Sequence, residues 1–176
     1  MRFNMNAIAL HGGCVDGGSS GRFLFSSRIR ADQRNALENL LFFNEHQSRV
    51  RGALREVIER WGCPEIIEEA GFLSVALAGH PGVQCLFATQ ARAGTLRPLG
   101  LVIYLRDGAD LLTVLHVGLS PAYAAGGLHA KANLLGSLMH EVKRVARRTA
   151  GIRKLLVAYR ALRGPVAART GVALAS

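Results

Sequence analysis

The chain has 176 residues, 49% of them hydrophobic and 19% charged, which is enough apolar material for a packed core and excludes wholesale disorder. The net charge is +10 and is unevenly placed: residues 1–130 carry 12 Lys/Arg against 11 Asp/Glu, whereas residues 131–176 carry 10 Lys/Arg against Glu141 alone. Apolar runs are far shorter than a bilayer span, so no membrane partner is expected, and the length predicts one domain.

Residues 1–21 open without the composition of a signal peptide, and their Gly/Ser-rich second half reads as a flexible arm ahead of a single domain, 22–176. The three cysteines, Cys14, Cys63 and Cys85, have neither an even count nor CxxC spacing. Free thiols in a reducing cytoplasm and no metal site follow.

GRFLFSSRIRADQ, 21–33, reads as a short strand entering a turn, with Asp32 capping a helix that places Leu37, Leu40 and Leu41 on one face. Asn44 with Gln47 resembles a capping box. Val50, Leu54, Val57, Ile58 and Trp61 then form the apolar stripe of a second helix, stopped by Gly62 and Pro64. PEIIEEA is expected to add a helical turn or two. From residue 72 the period changes to that of strands. FLSVALA and VQCLFATQ are joined by GHPG, and LGLVIYLR and DLLTVLHVGL by a segment starting Asp107-Gly108, so 72–119 reads as a four-strand meander.

The segment 131–149 carries the clearest helical pattern. Leu134, Leu135, Leu138, Val142, Val145 and Ala146 share one stripe, while His140, Lys143, Arg144 and Arg147 face away. IRKLLVAYR, 152–160, follows as a strand and most simply pairs parallel with the strand ending at Leu119. The expected fold class is therefore α/β (α+β), with a mixed, mostly antiparallel central sheet and helices on both faces.

Several pieces, in this order, make the chain resemble the GNAT superfamily of acyl-CoA N-acyltransferases over about residues 22–172. RIRAD at 28–32 is similar to the family's opening strand and turn. Leu119-Ser120-Pro121-Ala122-Tyr123 is similar to its Val-x-Pro-x-Tyr, and RTGV at 169–172 to its closing Lys-Leu-Gly-Phe. The resemblance implies an N-acyltransferase that moves an acyl group from acetyl-CoA or another acyl-CoA to an amine. It implies that main-chain groups at Val117, Gly118 and Leu119 hold the pantetheine arm and polarise the thioester carbonyl. The family's Gln/Arg-x-x-Gly-x-Gly/Ala pyrophosphate loop fits in two registers. One runs through Gly126 and Gly127 and lacks the leading basic residue. The other runs from Lys131 through Ala132 and Asn133 to Gly136, with Leu134 in place of the middle glycine. The family's leaving-group Tyr corresponds to Ala167, so the usual acid is absent.

For the chemistry that remains, His116 is the candidate base and Tyr159 the candidate acid. By simple alternation His116 is expected to face opposite to Leu115 and Val117. A hydrogen-bonded or solvent-facing strand histidine, a core or edge tyrosine at 159 and loop packing for Tyr123 are the competing structural readings. The chain ends soon after the closing glycine, Gly171, which suggests an open sheet edge and a homodimer. The alternative function is a catalytically degenerate transferase-like fold that binds an anionic ligand, nucleic acid or a protein partner. Nucleic acid is the less favoured partner, because the basic helix has no interleaved aromatics and the chain no recognisable DNA-reading module.

Overall fold

The structure, a computed structural model, describes residues 23–41, 51–92, 95–158 and 172–173. These form strands β1 (Leu24–Ser26) and β2 (Ile29–Arg30), helices α1 (Arg34–Leu41) and α2 (Arg51–Trp61), and strands β3 (Pro64–Glu69), β4 (Phe72–Leu77), β5 (Val83–Arg92), β6 (Thr95–Arg106) and β7 (Leu111–Leu119). Helix α3 (Leu134–Arg148) and strands β8 (Lys154–Val157) and β9 (Val172–Ala173) follow. The expected arm at 1–21, the Asn44–Gln47 capping box, Val50 and Tyr159 lie outside the described residues.

The large sheet has the order β1-β5-β6-β7-β8-β9, and a small sheet has the order β2-β4-β3. All pairings are antiparallel except β7 with β8, which run parallel in the register Leu111↔Lys154 to Val114↔Val157. The fold is thus a mixed α/β arrangement around a mostly antiparallel open sheet, with three helices among the described residues.

Two cores lie on opposite faces of the large sheet. Leu134, Leu138, Val142 and Ala146 of α3, all fully buried, pack against Leu86, Val102, Tyr104, Leu112 and Val114. On the other face Leu37, Leu40 and Leu41 of α1 join Leu73 and Val75 of β4 over Cys85, Phe87, Leu101 and Ile103. Val57 of α2 closes a smaller cluster on Leu77, Leu105, Leu115 and Ala158. Alternation along β5 and β6 feeds both cores at once, which is why these strands read as nearly continuous apolar runs.

Several expectations are corrected. PEIIEEA is not helical: it is β3, whose alternation turns Ile66 inward. It joins β4 through the two-residue loop Ala70-Gly71, with Glu69 paired to Phe72. Both loop residues have positive φ, 51° and 79°, the backbone that tight hairpins require. The four-strand meander is also split. Both edges of β4 are taken, by β2 and β3, and both edges of β5 by β1 and β6, so GHPG carries the chain from one sheet to the other instead of closing a hairpin. The 21–33 stretch likewise divides into β1 and β2, one strand in each sheet. Asp32 sits inside a 3₁₀ turn, Ala31–Gln33, where its carboxylate meets Arg30 at 3.5 Å and Gln33 at 3.3 Å instead of capping a helix. In the expected stripes, Ile58 of α2 and Leu135 of α3 are exposed, at 41% and 47%. The Asp107-Gly108 segment does join β6 to β7, through residues 107–110, and the Arg106 guanidinium donates to the Gly108 and Ala109 carbonyls.

Candidate functional site

Strand β7 changes character at Leu115. Before it, Tyr104 pairs with Val114; after it, Ile103 pairs with His116, so one residue of β7 is left over. This is a β-bulge, which bends and twists a strand. Its consequence for side chains is direct. Leu112 and Val114 pack on the α3 face, as do Val117 and Leu119 further on. Leu115 packs toward α2, and His116 reaches Leu40 of α1. Leu115 and His116 therefore share a face, which corrects the alternation expected from sequence.

The parallel ladder with β8 also ends here. Its last pair is Val114↔Val157, and β7 runs on for five residues, Leu115–Leu119. At Ala158 the backbone is already helical, and its side chain joins Leu115, Leu77 and Val57 in the cluster beneath α2. Ala158 thus stands off the ladder, on the side of α2. Among the described residues no strand continues the ladder beside Leu115–Leu119 on that side.

Both faces of this stretch are filled. A Cβ built on Gly118 would stand 2.5 Å from the Leu40 carbonyl oxygen, so the end of α1 rests directly on β7 and only glycine fits. The same carbonyl accepts a hydrogen bond from the His116 imidazole. Burial pushes the His116 pKa down to about 4, against the smaller upward pull of that hydrogen bond, so the ring is neutral at pH 7. The first task of His116 here is to bolt the C-terminal end of α1 to the bulge. A ring this hard to protonate is a weak proton acceptor.

The connection from β7 to α3 contains the other candidate residues. Pro121–Tyr123 and Ala130–Ala132 are 3₁₀ turns. Tyr123 packs within this connection: its hydroxyl lies 2.8 Å from Gln90 Oε1, and its ring meets Phe23 and His129. The glycines are accounted for by the chain's own path. The Gly127 amide donates to the Ala124 carbonyl at 2.9 Å, and Gly126, at φ 85°, takes the third position of that turn. A Cβ on Gly127 would lie 2.3 Å from the Pro121 carbonyl oxygen. A Cβ on Gly136 would run into the Asn133 side chain at 2.4 Å.

That last contact belongs to a helix cap. Asn133 is left-handed, φ 50° and ψ 46°, and its Oδ1 accepts from the Gly136 amide at 3.2 Å. The first turn of α3 has thus already spent one of its orphan amides on its own side chain. Lys131 is exposed in the turn just before, with Ala132 partly buried beside it.

The structure therefore brings Val117, Gly118 and Leu119 into one stretch with His116, and gathers Lys131, Ala132, Asn133 and Gly136 at the start of α3. Gly126 and Gly127 belong to the intervening turn. Leu40 was not read from sequence, because what it contributes is a main-chain carbonyl. Among the described residues no group of three or more His, Cys, Asp or Glu is placed to hold a metal ion. In the same residues no helix is long and apolar enough to cross a membrane. Comparison with protein-family models, with curated proteins and with solved structures finds no match for this chain.

Proposed function

We propose that the chain is an acyl-CoA-dependent N-acyltransferase of the cytoplasm, with a fold like that of the GNAT superfamily, which transfers an acyl group from acetyl-CoA or another acyl-CoA to an amine. The observation that carries this reading is the end of the β7–β8 ladder at a bulge, one connection away from the start of a long helix. An extended acyl-pantetheine arm has amides of its own, and β7 beyond its last pair with β8 presents the main chain of Val117 and Gly118 in strand geometry. With both faces of the stretch packed, such an arm would enter from the edge.

In this reading β7 main-chain N–H groups polarise the thioester carbonyl. The neutral amine attacks the carbonyl carbon, the C–S bond breaks, and the thiolate leaves with a proton. The proton from the amine passes to water. His116 acts as a positioning residue, fixing the bulge through Leu40, and Tyr159 is the proposed leaving-group acid. Lys131 and the amides of the loop hold the pyrophosphate, because the Asn133 cap occupies the Gly136 amide.

Thermal denaturation with CoA and acetyl-CoA tests the donor site. A ligand at about 100 times its Kd stabilises by about 2.7 kcal/mol, or roughly 5–10 °C for a chain of this length. No shift at millimolar CoA would overturn the reading.

A further inference from the structure

The outer face of α3 has no role in the proposed transfer, and it carries a run of charge of one sign. His140, Lys143, Arg144, Arg147 and Arg148 are all exposed. At about 100° per residue they fall within about 140° of arc, and over about 12 Å along the axis. Residues 131–158 hold seven Lys/Arg against Glu141 alone, and Glu141 is held by Arg144. Lys154 is matched by Asp110 at 3.1 Å. Lys143, Arg147 and Arg148 make no ion pair among the described residues.

Helix dipole compensation explains only part of this. Arg147 and Arg148 lie in the last turn of α3, where cations are favourable, but Lys143 is more than a turn further in. Nor do Glu68 and Glu69, or the acids of α2, make a free acidic face among the described residues. Glu68 and Glu69 on β3 are taken by Arg34 and Arg28, at 3.3 and 3.8 Å. The acids of α2, Glu56 and Glu59, are interleaved with Arg51, Arg55 and Arg60. Apart from Glu141, the stripe has no paired acidic complement among the described residues.

We propose that the outer face of α3 docks the phosphate backbone of duplex nucleic acid, without reading sequence. Two features favour this occupant. The stripe is arginine-rich, and the guanidinium fork suits phosphate oxygens. It also holds no exposed large apolar residue. The exposed leucine of α3, Leu135, lies about 150° round the helix from the stripe's centre. The aromatic or aliphatic anchor of a protein interface is therefore missing, and so is the base-stacking platform of a single-strand binder. Phosphates on one strand are spaced by about 3.4 Å along the duplex axis, so about 12 Å of helix meets three or four of them.

The test measures binding of the full chain to a labelled mixed-sequence duplex of about 20 base pairs, between about 50 and 200 mM salt. The stripe is neutralised in K143Q/R147Q/R148Q, and R51Q/R55Q/R97Q removes the same charge elsewhere, also at exposed positions. The stripe variant should lose at least tenfold in affinity at low salt, and the slope of log affinity against log salt should fall by about 2.7. The control variant should keep most of both, and saturating CoA should leave duplex binding unchanged. Absence of duplex binding by the unmodified chain would overturn the proposal. Equal losses in the two variants would reduce it to net charge. Equal affinity for polyglutamate would reassign the face to an acidic protein. A result in which duplex binds and CoA does not leaves this inference standing and removes the acyltransferase reading alone.

Discussion

Thr113 and His116 lie on the same strand and point to the same side of the large sheet, and both are buried; yet their polar groups meet opposite fates. Thr113 lies where β7 is paired on both sides, between Leu105 and Leu156. Its hydroxyl is fully enclosed and has no hydrogen-bond partner among the described residues. His116 lies past the bulge, where α1 approaches closely enough to offer the Leu40 carbonyl. A regular ladder satisfies the backbone and leaves a side chain to whatever the opposing layer brings. The bulge adds one residue, turns His116 toward an acceptor that alternation alone would have missed, and so makes a polar residue useful inside the core.

The largest expected effect comes from pH. The folded-state pKa of His116 is lowered from 6.5 to about 4, so between those values the unfolded chain binds the additional proton. The stabilisation is complete above about 6.5 and is lost as pH falls toward about 4, by about 3 kcal/mol in all. Denaturant unfolding at a series of pH values should show this decline. His116→Leu removes the titration and leaves the Leu40 carbonyl without its donor, costing about 1–3 kcal/mol at pH 7. The variant should therefore be weaker at neutral pH and converge on the unmodified chain near pH 4–5, on the same group's shift. Parallel curves for the two proteins would show that His116 does not carry the dependence.

The same comparison predicts a change of opposite sign three residues away. Thr113→Val keeps the shape and removes a buried hydroxyl that has no partner among the described residues. It should stabilise the fold by about 1 kcal/mol, a rise in Tm of roughly 2–4 °C. A loss of stability would mean that the hydroxyl has an acceptor, and the contrast between the two halves of β7 would fall.

Much of this was legible in sequence and some could not be. The stripes of α1 and α3 and the runs of β5, β6 and β7 follow from periodicity, because one buried face dictates the spacing. The parallel return of β8 followed from a helix lying between two apolar runs. What failed was whatever depends on a distant partner. GHPG is as good a turn signal within a hairpin as between sheets, and only the occupation of both edges of β4 decides which. PEIIEEA is acidic enough to pass for a helix end, and the Ala70-Gly71 turn that makes it a strand is weaker than Asn-Gly. The bulge at Leu115 leaves no mark in DLLTVLHVGL, since apolar residues are wanted on both faces there. The candidate site suffered most. Gly126, Gly127, Gly136 and Asn133 read as a phosphate loop, but each has an explanation in the chain's own packing.

That ambiguity at the start of α3 gives an effect no larger in size than the one at Thr113, and of the opposite sign. Asn133→Ala removes the side chain that accepts from the Gly136 amide and replaces a residue that tolerates left-handed backbone with one that does not. The expected cost is about 1 kcal/mol, or roughly 2–4 °C in Tm. Its value lies in what it does to CoA. If the Asn133 cap competes with a phosphate for the same amide, the variant should bind CoA more tightly than the unmodified chain although it is less stable, because a ligand can complete a helix end that lacks its own cap. If the pyrophosphate sits instead on Lys131 and the turn before the helix, the variant should lose stability and keep its affinity. A fall in CoA affinity would make Asn133 itself a contact. Measured side by side, stability and CoA affinity therefore separate the Gly136 end of the loop from its Lys131 end, a distinction that the spacing of glycines in the sequence does not make.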